Sequence, residues 1–477
     1  MKILNNLIKY GLCLFVFLLP WQTRWIFKDA AINGQVWEYG RWSLYGTEVL
    51  LIILLLLALT RFFISPEFKF QIPNSPSASS GPVGKLQINS KSKIQNPKQF
   101  SKLLFWSIVI LVIWSTLTIS WSLDKGLAWY GWLKLAEGVA LFWLITNQSQ
   151  TTRTIANQSR IFLKTFSHAL IASGVAQALL GISQFMRQTN ISANKWLGMS
   201  WLDPTETGAS VIEFLDMRWL RAYGSLPHPN ILAGFLVICL LLVIINLWRH
   251  DHKVTNIKEV GARRGAHLLN SFYWLSAVII FLGLLVTFSR GAWLAFIICF
   301  ASGFIYWLVK KSRIIIKLNI TLLIIFCLTF AFVWVSYPTQ LFTTRFNPEA
   351  RLEKKSMEQR TAGYQQALIL LKENSVLGLG INNYTLALYQ KDSRWPGYAY
   401  QPVHDAGLLT LVELGIPSLL LFVMIIISAL KKKSEYILLL LAILILGLFD
   451  HYLRSFYFGI MLWWLVLAMN AVFIKER

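Results

Sequence analysis

Charged residues are scarce in this chain of 477 residues, because they make up 14% of it against 56% hydrophobic residues. A soluble domain carries about 25% charged residues, so this composition excludes an ordinary soluble fold. Cysteine is also rare and shows no C-x-x-C spacing, which indicates neither a zinc site nor a disulfide framework. The four cysteines all fall inside apolar runs and are Cys13, Cys239, Cys299 and Cys327.

Paired carboxylates of the Asp-x-Asp or Glu-x-Asp type are missing from the whole chain. A glycosyl transferase that depends on a divalent metal needs such oxygen ligands on the external side of the membrane. We therefore expect no metal and no cofactor. A formal charge of +23 is present instead, but Lys and Arg are interleaved between apolar runs and form no basic face or arm. This distribution argues against nucleic acid as a partner.

The most prominent feature of the sequence is its long apolar runs. A membrane span needs about 20 predominantly apolar residues. The runs predict an all-α, polytopic integral membrane protein with about twelve transmembrane helices. They lie near 7–20, 47–64, 103–121, 127–146, 162–185, 229–248, 272–288, 291–309, 315–336, 405–429, 435–449 and 453–473. Cytoplasmic loops are rich in Lys and Arg, and the basic loops all fall on one side of a twelve-span count. Both termini are therefore predicted to be cytoplasmic.

This pattern divides the chain into five parts. Residues 1–64 hold the N-terminal spans, 65–102 form a basic cytoplasmic linker predicted to be disordered, 103–336 form a membrane domain, 337–404 form a long external loop, and 405–477 hold the last spans. Within the loop, Ala350 to Asn374 is predicted to be a helix with Met357, Tyr364, Leu368 and Leu371 on one face. No strand-like alternation of any length is found.

Three polar groups, far apart in sequence, are predicted to lie at one membrane depth on the external side. Arg221 opens RAYGSLPHPN before the sixth span, Arg290 lies in the TFSRGAW turn, and His404 begins the tenth span beside Asp405, which suits a helix start. An interfacial arginine either reaches the lipid headgroups or binds phosphate with its guanidinium fork. The histidine is either a structural helix-end residue or a base.

Other polar motifs favour structural roles. His228 lies between two prolines and indicates a rigid turn, and Asn230 is placed to cap the sixth span. GLGIN at 378–382 indicates a helix stop, and Lys134 is predicted to pair with Glu137 inside the fourth span. His250-Asp251-His252 could ligate a metal, but the basic composition around these residues favours a solvated loop.

The ordered set RAYGSLPHPN, TFSRGAW, RTAGYQQALILLKENSVLGLGINNY and HDAGLLTLVELGIPSLLLF resembles the O-antigen ligase and polymerase family over roughly residues 160 to 470. The resemblance implies transfer of a glycan from an undecaprenyl diphosphate carrier in the bacterial inner membrane, without a metal. It assigns catalytic roles to Arg221, Arg290 and His404. It adds Arg360 as a further recurrent arginine. We expect the three arginines to bind the substrate, together with Asn230 and His228.

Three function classes remain open at this level. The leading interpretation is a glycan transferase, either a ligase that uses a glycan, lipid or protein acceptor or a polymerase of repeat units. A transporter or flippase also fits twelve spans, although such proteins usually show paired halves with broken helices at the midplane. A membrane scaffold without chemistry has no need of His404.

Overall fold

The computed structural model describes residues 2–64, 102–148, 153–190, 194–254, 260–431, 434 and 436–472. The linker predicted at 65–102 lies, apart from Lys102, outside these residues. The described chain is mainly helical. Its helices are α1 Lys2–Leu18, α2 Gly46–Ile64, α3 Lys102–Thr118, α4 Lys125–Gln148, α5 Arg153–Arg187, α6 Pro229–Val254, α7 Val260–Leu285, α8 Arg290–Val309, α9 Arg313–Ser336, α10 Gln340–Phe346, α11 Arg351–Asn374, α12 Tyr384–Lys391, α13 Ala406–Leu430, α14 Ile437–Gly447, α15 Tyr452–Ser455 and α16 Tyr457–Ala471.

The apolar helices make this an all-α membrane protein. Within the described residues, eight helices are long and apolar enough to cross a membrane, and three shorter apolar helices are α1, α14 and α16. Each of the twelve predicted spans coincides with a helix. Eleven of them are these apolar helices, and the twelfth is α4, whose centre carries Lys134 and Glu137. The number twelve itself stays a prediction.

Helix α6 forms the centre of the bundle. Its segment Pro229–Arg249 is entirely buried inside the protein and contacts α5, α7, α8, α9 and α14. A helix that is apolar on every side has no face for water, so it is stable only when it is surrounded by other helices or by lipid. The polar residues at its start are therefore held at a fixed place at one end of the bundle.

Three short two-stranded antiparallel sheets correct the expectation that strands are absent. They pair β1 (Arg24–Lys28) with β4 (Trp42–Tyr45), β2 (Ala31–Ile32) with β3 (Gln35–Val36), and β5 (Val211–Phe214) with β6 (Met217–Leu220). Strands of two to five residues are too short to produce a readable alternation of polar and apolar residues. The β5–β6 hairpin ends directly before Arg221.

Helix α11 confirms the predicted element and half of the predicted face, because Tyr364 and Leu371 pack against a buried cluster. Met357 and Leu368 are about half exposed, whereas Glu353, Ala367 and Leu370 are buried. The helix is turned because Glu353 forms ion pairs with Arg290 of α8 and Arg345 of α10. A buried charge without a partner costs more free energy than the exposure of two apolar side chains, so Glu353 is paired while Met357 and Leu368 stay exposed.

Candidate active site

Arg221 is buried and fastens the β5–β6 hairpin to the turn between α7 and α8. Its Nε donates to the Thr287 carbonyl at 2.7 Å, Nη1 to Ser210 Oγ at 2.8 Å, and Nη2 to Asn230 Oδ1 at 2.9 Å. A fourth, longer contact runs from Nη2 to the Phe288 carbonyl. The protein itself therefore occupies most of the five N–H donors of this guanidinium.

Asn230 does not cap α6, which corrects the sequence prediction. It lies inside the helix, and its backbone N–H donates to His228 Nδ1 at 3.1 Å, so His228 supplies the cap. The Asn230 side chain instead joins two functional groups. Its Oδ1 accepts from Arg221, and its Nδ2 donates to Asp450 Oδ2 at 3.2 Å.

His404 lies beside two residues that the sequence analysis missed, Asp450 and His451. The Nδ1 atom of His404 is 3.7 Å from Asp450 Oδ1, and the two imidazole rings are 5.2 Å apart. His451 Nδ1 is 2.7 Å from Ser455 Oγ. The available signal was the polar pair Asp450-His451 between two apolar runs, in the short turn that precedes α15.

Helix α13 begins directly after His404. As predicted, Asp405 starts the helix, because its side chain accepts a hydrogen bond from the Leu408 N–H at 2.7 Å. The imidazole is thus held at the N-terminal end of a long helix. From the other side, the Tyr364 hydroxyl of α11 lies 3.4 Å from the His404 carbonyl oxygen.

Burial and neighbouring charges shift the pKa values of three titratable groups in the site. Burial disfavours the Asp450 carboxylate, but the neighbouring His404 and His451 outweigh burial and hold the pKa of Asp450 below its usual range. Burial, with the Arg221 charge nearby, lowers the pKa of His228 to about 3. Burial also lowers the pKa of His451 to about 4 against the opposing effect of Asp450. His228 is therefore neutral near pH 7, as an acceptor of the Asn230 N–H has to be.

A second part of the site surrounds Glu353. Arg290 opens α8, donates to the Arg345 carbonyl at 3.0 Å and forms an ion pair with Glu353 at 2.8 Å. Arg345, on the short helix α10, also binds Glu353 and donates to the Phe288 carbonyl at 2.9 Å. Arg345 and Glu353 were not predicted from the sequence, because neither lies in a recognisable motif.

Arg360 completes the group of arginines. Its Nη1 donates to the Phe449 carbonyl at 3.0 Å, next to Asp450. Helix α11 thus contacts the bundle with Glu353, Arg360 and Tyr364, which share one helical face. Four arginines and two carboxylates converge here, so positive charge is in excess.

Residues 275–423 match a protein-family model described as O-antigen ligase. This region belongs to the O-antigen ligase family. None of the curated proteins matches the chain. The apolar helices make the chain an integral membrane protein. The matched region supports a function of the O-antigen ligase and polymerase family, with glycan substrates.

The ligase region contains Arg290, Arg345, Glu353, Arg360 and His404. Arg221, Asn230 and Asp450 lie outside it and join it only through folding. Among the described residues, His404, Asp450 and His451 also form a group that could hold a metal ion, since their ligand atoms lie within 4.8 Å of one another. The side chains of His250, Asp251 and His252 lie outside the described residues.

Two further expectations concern polar residues away from the arginines and histidines. Lys134 does contact Glu137, at 3.5 Å, but its nearer partner is Glu48 at 2.5 Å. GLGIN is more than a helix stop, because Leu379 and Gly380 donate backbone hydrogen bonds to Val412 and Glu413 of α13.

Proposed function

We propose that the protein transfers a glycan from an undecaprenyl-diphosphate-linked donor to an acceptor hydroxyl, without a metal, at the membrane face predicted to be external. The observation that carries this proposal is the excess of arginine over carboxylate directly beside the His404–Asp450 pair. Diphosphate is a poor leaving group unless its developing charge is stabilised, and fixed guanidinium groups supply that stabilisation.

The arginines have different tasks in this proposal. Arg290 and Arg360 make few contacts with the protein and keep N–H donors for phosphate oxygens. Arg221 has little donor capacity left, so it contributes positive charge and holds Asn230 in place. Glu353 orients Arg290 and Arg345, which keeps the positive charge fixed before the donor binds.

In the transfer step, the acceptor oxygen bonds to the anomeric carbon of the donor sugar while the bond from that carbon to the diphosphate oxygen breaks. The lipid diphosphate leaves with the bonding electrons and remains held by the arginines. The acceptor proton passes to His404. Because Nδ1 faces Asp450, Nε2 is the atom that takes the proton, and the carboxylate stabilises the resulting imidazolium.

The proposal is tested with the full chain in nanodiscs, a synthetic undecaprenyl diphosphate disaccharide and fractionated membrane acceptors. Arg290→Lys and Arg360→Lys keep the charge but lose the guanidinium fork, and should weaken donor binding and turnover roughly tenfold or more. His404→Ala should lower turnover roughly 100-fold with donor binding intact. The matched control is Arg351→Lys. Arg351 is exposed, lies on α11 like Arg360, and pairs with Glu213.

A His404→Ala variant that transfers glycan at the wild-type rate would refute the role of His404 as the base. The same assay with EDTA tests metal independence, and we expect unchanged transfer. Loss of activity that a divalent ion restores contradicts the proposal and makes His404, Asp450 and His451 the ligands. Asp29, Glu38 and Glu48 are poorer candidates, because they are paired with Arg41, Arg24 and Lys134 respectively.

A further inference from the structure

We propose that a second cavity, lined by the aromatic side chains of Tyr39, Tyr45, Tyr130 and Tyr457, binds a neutral sugar residue of the acceptor. We name it the tyrosine cavity. It is also lined by Ser43 and Arg454. This inference rests on the proposed transfer reaction, because it identifies the chemical class of the group that receives the glycan.

The tyrosine cavity lies at the far end of a series of contacts that starts at the arginines. Arg221 binds Asn230, and Asn230 binds Asp450. Asp450 lies beside both His404 and His451. The ring of His451 is 6.0 Å from that of Tyr39, which lines the cavity. The histidines therefore lie between the arginine group and the cavity, and a base has to lie between donor and acceptor.

An adjoining space connects the cavity to the segment before His404. It is lined by Tyr39, Arg454 and Ser455, which also line the tyrosine cavity, and it reaches Pro402. Ser455 is in turn the partner of His451. An acceptor sugar in the cavity thus has polar contacts on the side that faces the histidines.

Charge distinguishes this cavity from the donor site. Each cation that lines it is paired with a carboxylate, over distances of 2.5 to 3.0 Å. The pairs are Arg24 with Glu38, Arg41 with Asp29, Lys134 with Glu48, and Arg454 with Glu413. No excess positive charge is left to hold a phosphate. Planar paired guanidinium and carboxylate groups still present donors and acceptors in fixed directions, which suits the hydroxyl groups of a sugar.

Two buried hydroxyl groups in the cavity keep hydrogen-bonding capacity within the described part of the chain. Ser43 and Tyr457 have residue exposures of 2% and 3%; Ser43 Oγ makes no hydrogen bond, and the Tyr457 hydroxyl faces the Thr47 hydroxyl alone. Because unused hydrogen-bonding capacity of a buried hydroxyl is costly and both groups line a cavity, they point to a ligand in that cavity. The Tyr45 and Tyr457 rings stack with centroids 4.6 Å apart, which fixes the Tyr457 hydroxyl in place.

The test uses the full chain in nanodiscs and the oligosaccharide that mild acid releases from the fractionated membrane acceptors. Ser43→Ala and Tyr457→Phe should each weaken binding of this oligosaccharide roughly tenfold and raise the acceptor KM similarly. Turnover at saturating acceptor and affinity for undecaprenyl diphosphate should not change. Matched controls are Ser428→Ala and Tyr452→Phe, which remove hydroxyls that are equally buried but do not line the cavity.

Each outcome decides a separate point. If the hydroxyls are only structural, both pairs of variants will bind the oligosaccharide as the wild type does, which overturns the inference. If the cavity holds the donor sugar, the KM for the donor will rise instead of the acceptor KM, and the acceptor assignment is wrong. Failure of the proposed transfer reaction would be seen separately, as undecaprenyl diphosphate binding that Arg290→Lys and Arg360→Lys leave unchanged.

Discussion

Asn230 connects the arginine group to the histidine group, because one side-chain amide contacts both Arg221 and Asp450. Its geometry depends on His228, whose neutral ring accepts the Asn230 N–H. Protonation of His228 removes that acceptor and adds a cation beside Arg221. The charge state of one histidine is thus linked to the stability of the site.

We predict that the protein loses stability in mild acid. The pKa of His228 is about 3 and that of His451 about 4, both below the unfolded value of about 6.5. Since the unfolded state takes up protons first, stability is complete above that value and is lost as pH falls toward 4. Thermal unfolding in detergent should show a lower Tm at about pH 5 than at about pH 7.

His228→Asn should reduce this loss, because an asparagine oxygen can accept the same N–H without titrating. The control is His267→Asn at an exposed position, which should leave the pH dependence of Tm as in the wild type. An equal fall in Tm for wild type and His228→Asn would exclude His228 as the source.

At the scale of the element, the break in α13 positions the polar residues on both sides of it. Gly415 has a φ of 69°, and there the helix is interrupted. The segment 375–380 fits into the break, where Gly380 donates to the Glu413 carbonyl at 2.9 Å and Ile416 donates to the Ser375 carbonyl at 3.0 Å. Glu413 is held for its ion pair with Arg454, which lines the tyrosine cavity.

Gly415→Ala should lower the free energy of unfolding by about 2 kcal/mol or more, because alanine is strained at positive φ and its Cβ would lie 2.2 Å from the Val376 carbonyl oxygen. The matched control is Gly363→Ala in α11, where nothing lies within 4 Å of the added Cβ. That variant should gain about 0.5–1 kcal/mol from helix propensity. Equilibrium unfolding in mixed micelles measures both, and a stable Gly415→Ala variant would contradict the structural role of the break.

At the scale of the whole molecule, helix α8 connects the arginine group to the opposite end of the bundle. Arg290 at its start contacts Glu353 of α11, whereas Lys310 follows its last residue. Twenty helical residues span about 30 Å, which matches the thickness of the hydrocarbon core. Lys355 and Lys310 should therefore lie on opposite sides of the membrane.

Orientation is tested with Lys355→Cys and Lys310→Cys in a background without the four native cysteines. An impermeant thiol reagent added to intact cells should label the first variant and not the second, because basic turns remain cytoplasmic. Both should be labelled after lysis. Labelling of Lys310→Cys in intact cells would place the site on the cytoplasmic side and remove the basis for the proposed donor.

The sequence by itself determined where the membrane helices lie, because the cost of placing polar residues in lipid imposes long apolar runs that can be read from neighbouring residues. The start of α13 at Asp405 and the helix of the long loop were also predicted from neighbouring residues, the first from helix capping and the second from helical periodicity. The motifs also identified Arg221, Arg290, Arg360 and His404 as candidates, although their catalytic roles remain proposals.

Only the tertiary structure decided which groups these candidates meet. Asp450 reaches Asn230 across 220 positions, and Arg290 reaches Glu353 across the helices between them. The same packing turned α11 toward its buried Glu353 and made His228 the cap of α6. These choices depend on how buried charges are paired when helices pack, and that pairing leaves no periodic pattern along the chain.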